Sequence, residues 1–250
     1  MLTRKTIIYI VCALLISSSL AISSYAIDLN RFQGLHTSFQ SISSQDSLDL
    51  NKLLTKLRRA ENRLDEKFLA DVFYKTHKKF LKTYNANSST AELFSNGEYD
   101  CVSGSILYNW VLTELDIAHQ IIETDYHVFI IVERNQKEYI FEATDALYGF
   151  ISDPEKIEAF KLKYTPKEGS LGLRSGSAIG AISALNEEEQ TIYNSISASQ
   201  LSGLQYYNNG IDALHHGNYE KAVKEFEKAL IRYNSIRIQA VYRIAQSLIN

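Results

Sequence analysis

Cys101 lies in the stretch "GEYDCVSGSILYNW", residues 97 to 110 of a 250-residue chain that has two cysteines. A thiol becomes a nucleophile when its thiolate is stabilised, by the free N–H groups and partial positive charge at a helix start or, more strongly, by an imidazole. Ile106, Leu107, Trp110, Val111 and Leu115 recur at helical spacing and predict a helix that begins at or just after Cys101. The small residues Ser103, Gly104 and Ser105 leave room for backbone to approach a substrate. Two other readings compete: an inert core thiol, because cysteine is among the most buried residue types, or a link between two chains.

The imidazole has one good candidate. His127 opens "HVFIIVE", which with "EYIFEAT" forms two runs rich in β-branched and aromatic residues around "RNQK", the pattern of a β-hairpin. If Arg134 stands opposite Lys137, His127 faces Thr144 and Phe129 faces Glu142, so His127 and Glu142 are diagonal neighbours on one face. A carboxylate there can accept the imidazole N–H and fix its tautomer. Asp145 falls on the other face, and an odd-numbered turn or a bulge would exchange the two. His119 is expected in an exposed connection after the helix, His77 on the solvated face of "KTHKK", and His215 and His216 in an exposed turn. A cysteine at a helix start, a histidine at a strand start and a carboxylate one strand later follow the logic of a catalytic triad.

The run "YDCVSGSILYNWVLTELDI" followed by "HVFIIVERNQKEYIFEATDALYGF" resembles the transglutaminase-like core of the papain-related superfamily, over residues 97 to 150. The resemblance implies an α+β fold, a transglutaminase-like or papain-like core in which the cysteine-bearing helix packs on a small antiparallel sheet. It also implies Cys101 as nucleophile, His127 as general base and acid, and Glu142 as the orienting carboxylate, where the family usually has aspartate. The expected chemistry is acyl transfer at an amide or peptide bond, with hydrolysis favoured over crosslinking and no cofactor or metal required.

Around this core the chain divides readily. Arg4 and Lys5, then "TIIYIVCALLISSSLAI" and "SSYA", read as a signal peptide over 1–26 that would direct export to the periplasm or medium; an uncleaved membrane anchor is the second choice. Its removal would discard Cys12 and leave 24 basic against 29 acidic residues, a formal charge of −5 that argues against nucleic acid as a partner. Residues 27–47 are expected to be a disordered lead-in, 48–165 the transglutaminase-like domain with a helical N-terminal segment, and 166–186 a flexible glycine-rich linker. Residues 187–250 are expected to form helices that resemble a tetratricopeptide repeat over 203–236. Gly210, Gly217, Tyr219, Ala222, Phe226 and Ala229 stand at the repeat's packing and turn positions, and Asn234 stands where its proline is usual. Such helices either close the core or dock a protein partner. The substrate class is a peptide or protein; the rival from another class is a non-catalytic protein-binding module on the same fold.

Overall fold

The computed structural model describes residues 43–60, 66–165 and 192–249. The expected signal peptide, most of the lead-in and the linker lie outside the described residues. Helix α1 (Ser44–Arg58) begins inside the expected lead-in, its first turn closed by the Ser43 side chain accepting from the Asp46 N–H. Leu50, Leu53, Leu54 and Leu57 form its buried stripe, and α2 (Glu66–Phe80) buries Phe68, Leu69, Val72, Phe73 and Phe80. Strand β1 (Thr83–Tyr84) pairs parallel with β2 (Glu98–Tyr99) on either side of the short helix α3 (Thr90–Asn96).

Helix α4 (Cys101–Glu114) is buried without a break from Cys101 to Leu112. That explains its sequence, which lacks the polar stripe of a surface helix. It packs along β3 (His119–Thr124) and β4 (Val128–Arg134). Strand β4 turns through Asn135 and Gln136, both in the left-handed region, into β5 (Lys137–Phe141), and Arg134 pairs with Lys137 as the four-residue "RNQK" predicts. With β6 (Phe150–Ile151) and β7 (Tyr193–Ile196) these strands form an antiparallel sheet of order β6-β5-β4-β3-β7.

Both faces of the sheet are covered, so β4 is apolar at every position from Val128 to Val132. Val128, Ile130 and Val132 join the main core beneath α4, while Phe129 and Ile131 pack with Ile140 against Ile157 and Phe160 of α5 (Pro154–Tyr164). The chain is thus α+β, with helices on both sides of an antiparallel sheet.

Two local expectations are corrected. "HQIIET" is strand β3, with Ile121 and Ile122 buried on opposite faces, and not a connection. Helix α5, which closes the domain before residue 166, has its start set by the Asp153 cap and Pro154 in the first turn. The region from 187 is not purely helical, because β7 completes the sheet beside β3 before α6 (Ala198–His215), α7 (Tyr219–Arg232) and α8 (Ile236–Ser247) follow.

Helices α6 and α7 approach closely at Gly210, where an added Cβ would come within 2.5 Å of the Phe226 ring. Gly217, at φ +71°, makes the turn between them. Ala222, Phe226, Ala229 and, from α8, Ile238, Val241 and Ala245 belong to the same core as Leu50 and Val102, so these helices share one interior with the sheet. Phe226→Ala is therefore expected to cost the whole protein about 3–5 kcal/mol in urea denaturation followed by far-UV circular dichroism. A separate early transition confined to the C-terminal helices would contradict the shared core.

Candidate active site

The carboxylate of Asp100 caps α4. Its Oδ1 accepts from the Ser103 N–H (2.7 Å), and the Asp100 N–H donates in return to Ser103 Oγ (2.9 Å). Cys101 is therefore the first residue of the helix, beside the free N–H groups of its first turn. The chain reaches this point from β2, and Gly104 lets the helix lie against Ala143, whose Cβ would be 2.7 Å from an added methyl group.

His127 and Glu142 lie just past the end of the β4–β5 ladder, whose last pair is Ile130 with Phe141. The Thr124 side chain accepts from the His127 N–H (3.1 Å) and closes the turn between β3 and β4. The Nε2–H of His127 donates to Glu142 Oε2, while Glu142 Oε1 accepts from both the Thr144 N–H (2.8 Å) and its hydroxyl (2.6 Å). Cys101 and His127 are also close enough to act on each other's proton, the imidazole favouring the thiolate and the sulfur favouring the imidazolium. With Nε2 committed to Glu142, Nδ1 is the ring nitrogen left to exchange a proton with the thiol.

The structure thus brings Cys101, His127 and Glu142 into one connected set. Asp145 is elsewhere: its Oδ1 accepts from Leu147 N–H (3.0 Å) and Tyr148 N–H (2.8 Å), closing a surface turn. Gly149 passes so close to the Glu142 and Asp145 carbonyl oxygens that an added Cβ would lie within 2.3 Å of both, so this return is open only to glycine.

Burial opposes charge on all three groups, and their mutual contacts decide the outcome. Burial alone would depress His127, but the Glu142 charge and the bonds to Cys101 and Glu142 raise it from 6.5 to about 10. Burial would raise Glu142, yet His127 and Thr144 hold it below its usual range. At Cys101, burial pushes the thiol up against the lowering effect of His127, and the charges of Asp100 and Glu142 add to the rise. The expectation of a lowered thiol pKa is therefore corrected, since desolvation of the thiolate outweighs the lowering effect of His127.

Two other histidines also depart from expectation. His77 is buried and neutral, its Nε2–H donating to the Ala143 carbonyl (3.1 Å) next to Glu142, with burial pushing its pKa down. His119 is half-buried at the start of β3, held by the Ile117 carbonyl (2.8 Å) and the Asn109 side chain (2.9 Å). His215 and His216 are exposed, as expected. Sequence reading missed Tyr164, whose ring stacks on His127 at 5.2 Å and 16°, although the cap and proline that start its helix were visible. It also missed Asp100, which the pattern D-x-x-S at a helix start could have revealed.

Among the described residues no three histidine, cysteine, aspartate or glutamate side chains gather as metal ligands, and no helix is long and apolar enough to cross a membrane. No protein-family model, curated protein or solved structure matches the chain.

The raised His127 has a consequence for stability. A histidine whose folded pKa exceeds its unfolded value contributes stability that is fully present below pH 6.5 and is lost as pH rises to about 10. Glu142→Gln removes the charge that raises His127 and leaves burial to lower it, so the variant should lose this decline. Urea midpoints of the two proteins measured from pH 6 to 10 should converge as pH rises; parallel curves would contradict the assignment of charge.

Proposed function

We propose that this protein is an exported cysteine enzyme with a transglutaminase-like core, which transfers acyl groups from amide or peptide bonds. The observation that carries the reading is Cys101 at a helix start, beside a His127 whose imidazole is bonded to Glu142.

With His127 protonated and Cys101 a thiol, loss of one proton yields the reactive pair, a thiolate beside an imidazolium. The Sγ atom attacks the carbonyl carbon, and when the C–N bond breaks, His127 passes its proton to the departing amine. A thioester remains on Cys101. Water then attacks the thioester carbon as neutral His127 takes a proton from it, the C–S bond breaks, and the carboxylic acid leaves. An amine in place of water would give a crosslink. Glu142 keeps the imidazole in one tautomer and stabilises its charge. The near-complete burial of the site, with Tyr164 over the imidazole, supplies the low-dielectric surroundings in which these charges act strongly. In this reading the C-terminal helices form a tetratricopeptide-like hairpin built into the enzyme.

A second reading, a non-catalytic protein-binding module, draws on one observation. Cys101 is only 7 % exposed, and burial keeps its thiol protonated. Acylation separates the two. Treatment with p-nitrophenyl acetate should release a burst of one equivalent of nitrophenol and leave an acetyl group on Cys101, with the burst lost in Cys101→Ala and slowed about 10²-fold or more in His127→Ala. Acylation that does not depend on His127, or none at Cys101, would leave the binding module as the better reading.

A further inference from the structure

The carboxylate that caps α4 is held from a distance. Asp100 is 2 % exposed and pairs with no cation among the described residues, yet its Oδ2 accepts from the Nδ2–H of Asn208, at 3.0 Å, on helix α6. Asn208 is itself 2 % exposed, and its own Oδ1 is buried without a partner. An orphaned buried carbonyl is costly, and an apolar side chain of the same shape would avoid that cost. What the amide supplies is therefore at Nδ2, which is turned to Asp100. The opposite orientation would set two acceptors against each other.

We infer that Asn208 is a positioning residue for Cys101, its amide holding the Asp100 carboxylate that caps the helix carrying the thiol. The inference rests on reading Cys101 as a nucleophile. Asp100 has two effects on Cys101: its hydrogen bonds with Ser103 fix the first turn of α4, and its charge opposes the thiolate. Burial already raises Asp100 to about 6, against the lowering bonds from Ser103, Asn208 and Val102. Removing the Asn208 donor takes away one of those bonds, so the carboxylate protonates more readily and grips the turn less well. The titratable groups near Asp100 are Cys101 on its own helix and Tyr84 from β1, with His127 and Glu142 also near the thiol; α6 presents Asn208, which does not titrate.

The test uses the full chain and two readouts. In protein carrying ¹³C-labelled aspartate, the Asp100 carboxyl resonance is assigned by its loss in Asp100→Asn and followed with pH. Asn208→Leu should move its titration upward by about one to two units, the worth of one hydrogen bond to a charged group. The same variant should slow acylation of Cys101 about five-fold, the worth of one lost hydrogen bond of about 1 kcal/mol that holds the cap. Asn208→Gln, which keeps an amide donor, should recover part of both. Ile211→Ala, on the same helix and also buried, is the control for general loosening and should leave the Asp100 titration in place.

An unmoved Asp100 titration in Asn208→Leu, or an equal shift in Ile211→Ala, overturns the inference. If the leucine variant does not fold, Asn208→Ser and Asn208→Ala are compared, and identical Asp100 titrations in that pair overturn it as well. If the unmodified protein fails to acylate at Cys101, the enzyme reading fails; the carboxyl titration still decides whether Asn208 holds Asp100.

Discussion

The structure depends on one buried helix start. Helix α4 runs through the interior with the sheet on one side and α6 on another, so its first N–H groups have little access to water. An unpaired N–H group buried there would cost about 1–3 kcal/mol. The reciprocal bonds of Asp100 and Ser103 meet that need within the chain, and in doing so they fix Cys101 as the first helical residue. The same constraint explains the small residues of "CVSGS": a larger residue at Gly104 would collide with Ala143, the neighbour of Glu142. Placement of the thiol and placement of the carboxylate loop are thus one packing problem.

The electrostatics follow from that burial. His127 interacts with both the Cys101 sulfur and Glu142, and the charge of Asp100 also acts on the thiol. Desolvation is the main opposition to the thiolate, His127 offsets part of it, and the charges of Asp100 and Glu142 add smaller opposition. The proton on His127 is held firmly for the complementary reason. A site of this kind stores its positive charge in the imidazole and forms the thiolate only when a proton leaves.

Much of this was legible in the sequence where the signal is local. The even-numbered turn "RNQK" fixes the hairpin register, and the register puts His127 and Glu142 on one face; the observed pairing of Arg134 with Lys137 carries both to the ladder's end. The leucine stripe of α1 and the apolar run of α4 are equally direct. Other features depend on contacts that no local window contains. β3 is short and follows α4 closely, so it reads as a connection until β4 and β7 pair with it. His77 lies in a charged run, but its position on α2 turns it inward to Ala143, which is 66 residues away. Asn208 meets Asp100 across 108 residues, and nothing near either one announces the other.

The C-terminal helices show how such contacts change the meaning of a segment. Taken alone, α6 and α7 look like a repeat unit that could be appended to any domain. In the structure, α6 reaches the cap of the Cys101 helix through Asn208, and α8 reaches the other side of the site through Arg237. The Arg237 guanidinium pairs with Glu123, buried at 1 % exposure, and also donates to the Asp125 carbonyl in the turn that delivers His127. Tyr233 adds a hydroxyl bond to the same Glu123 at 2.6 Å. A buried ion pair of this sort contributes less to stability than to geometry, because desolvation offsets most of its attraction, whereas removing one partner strands the other. The cysteine end and the histidine turn are therefore held by one group of helices.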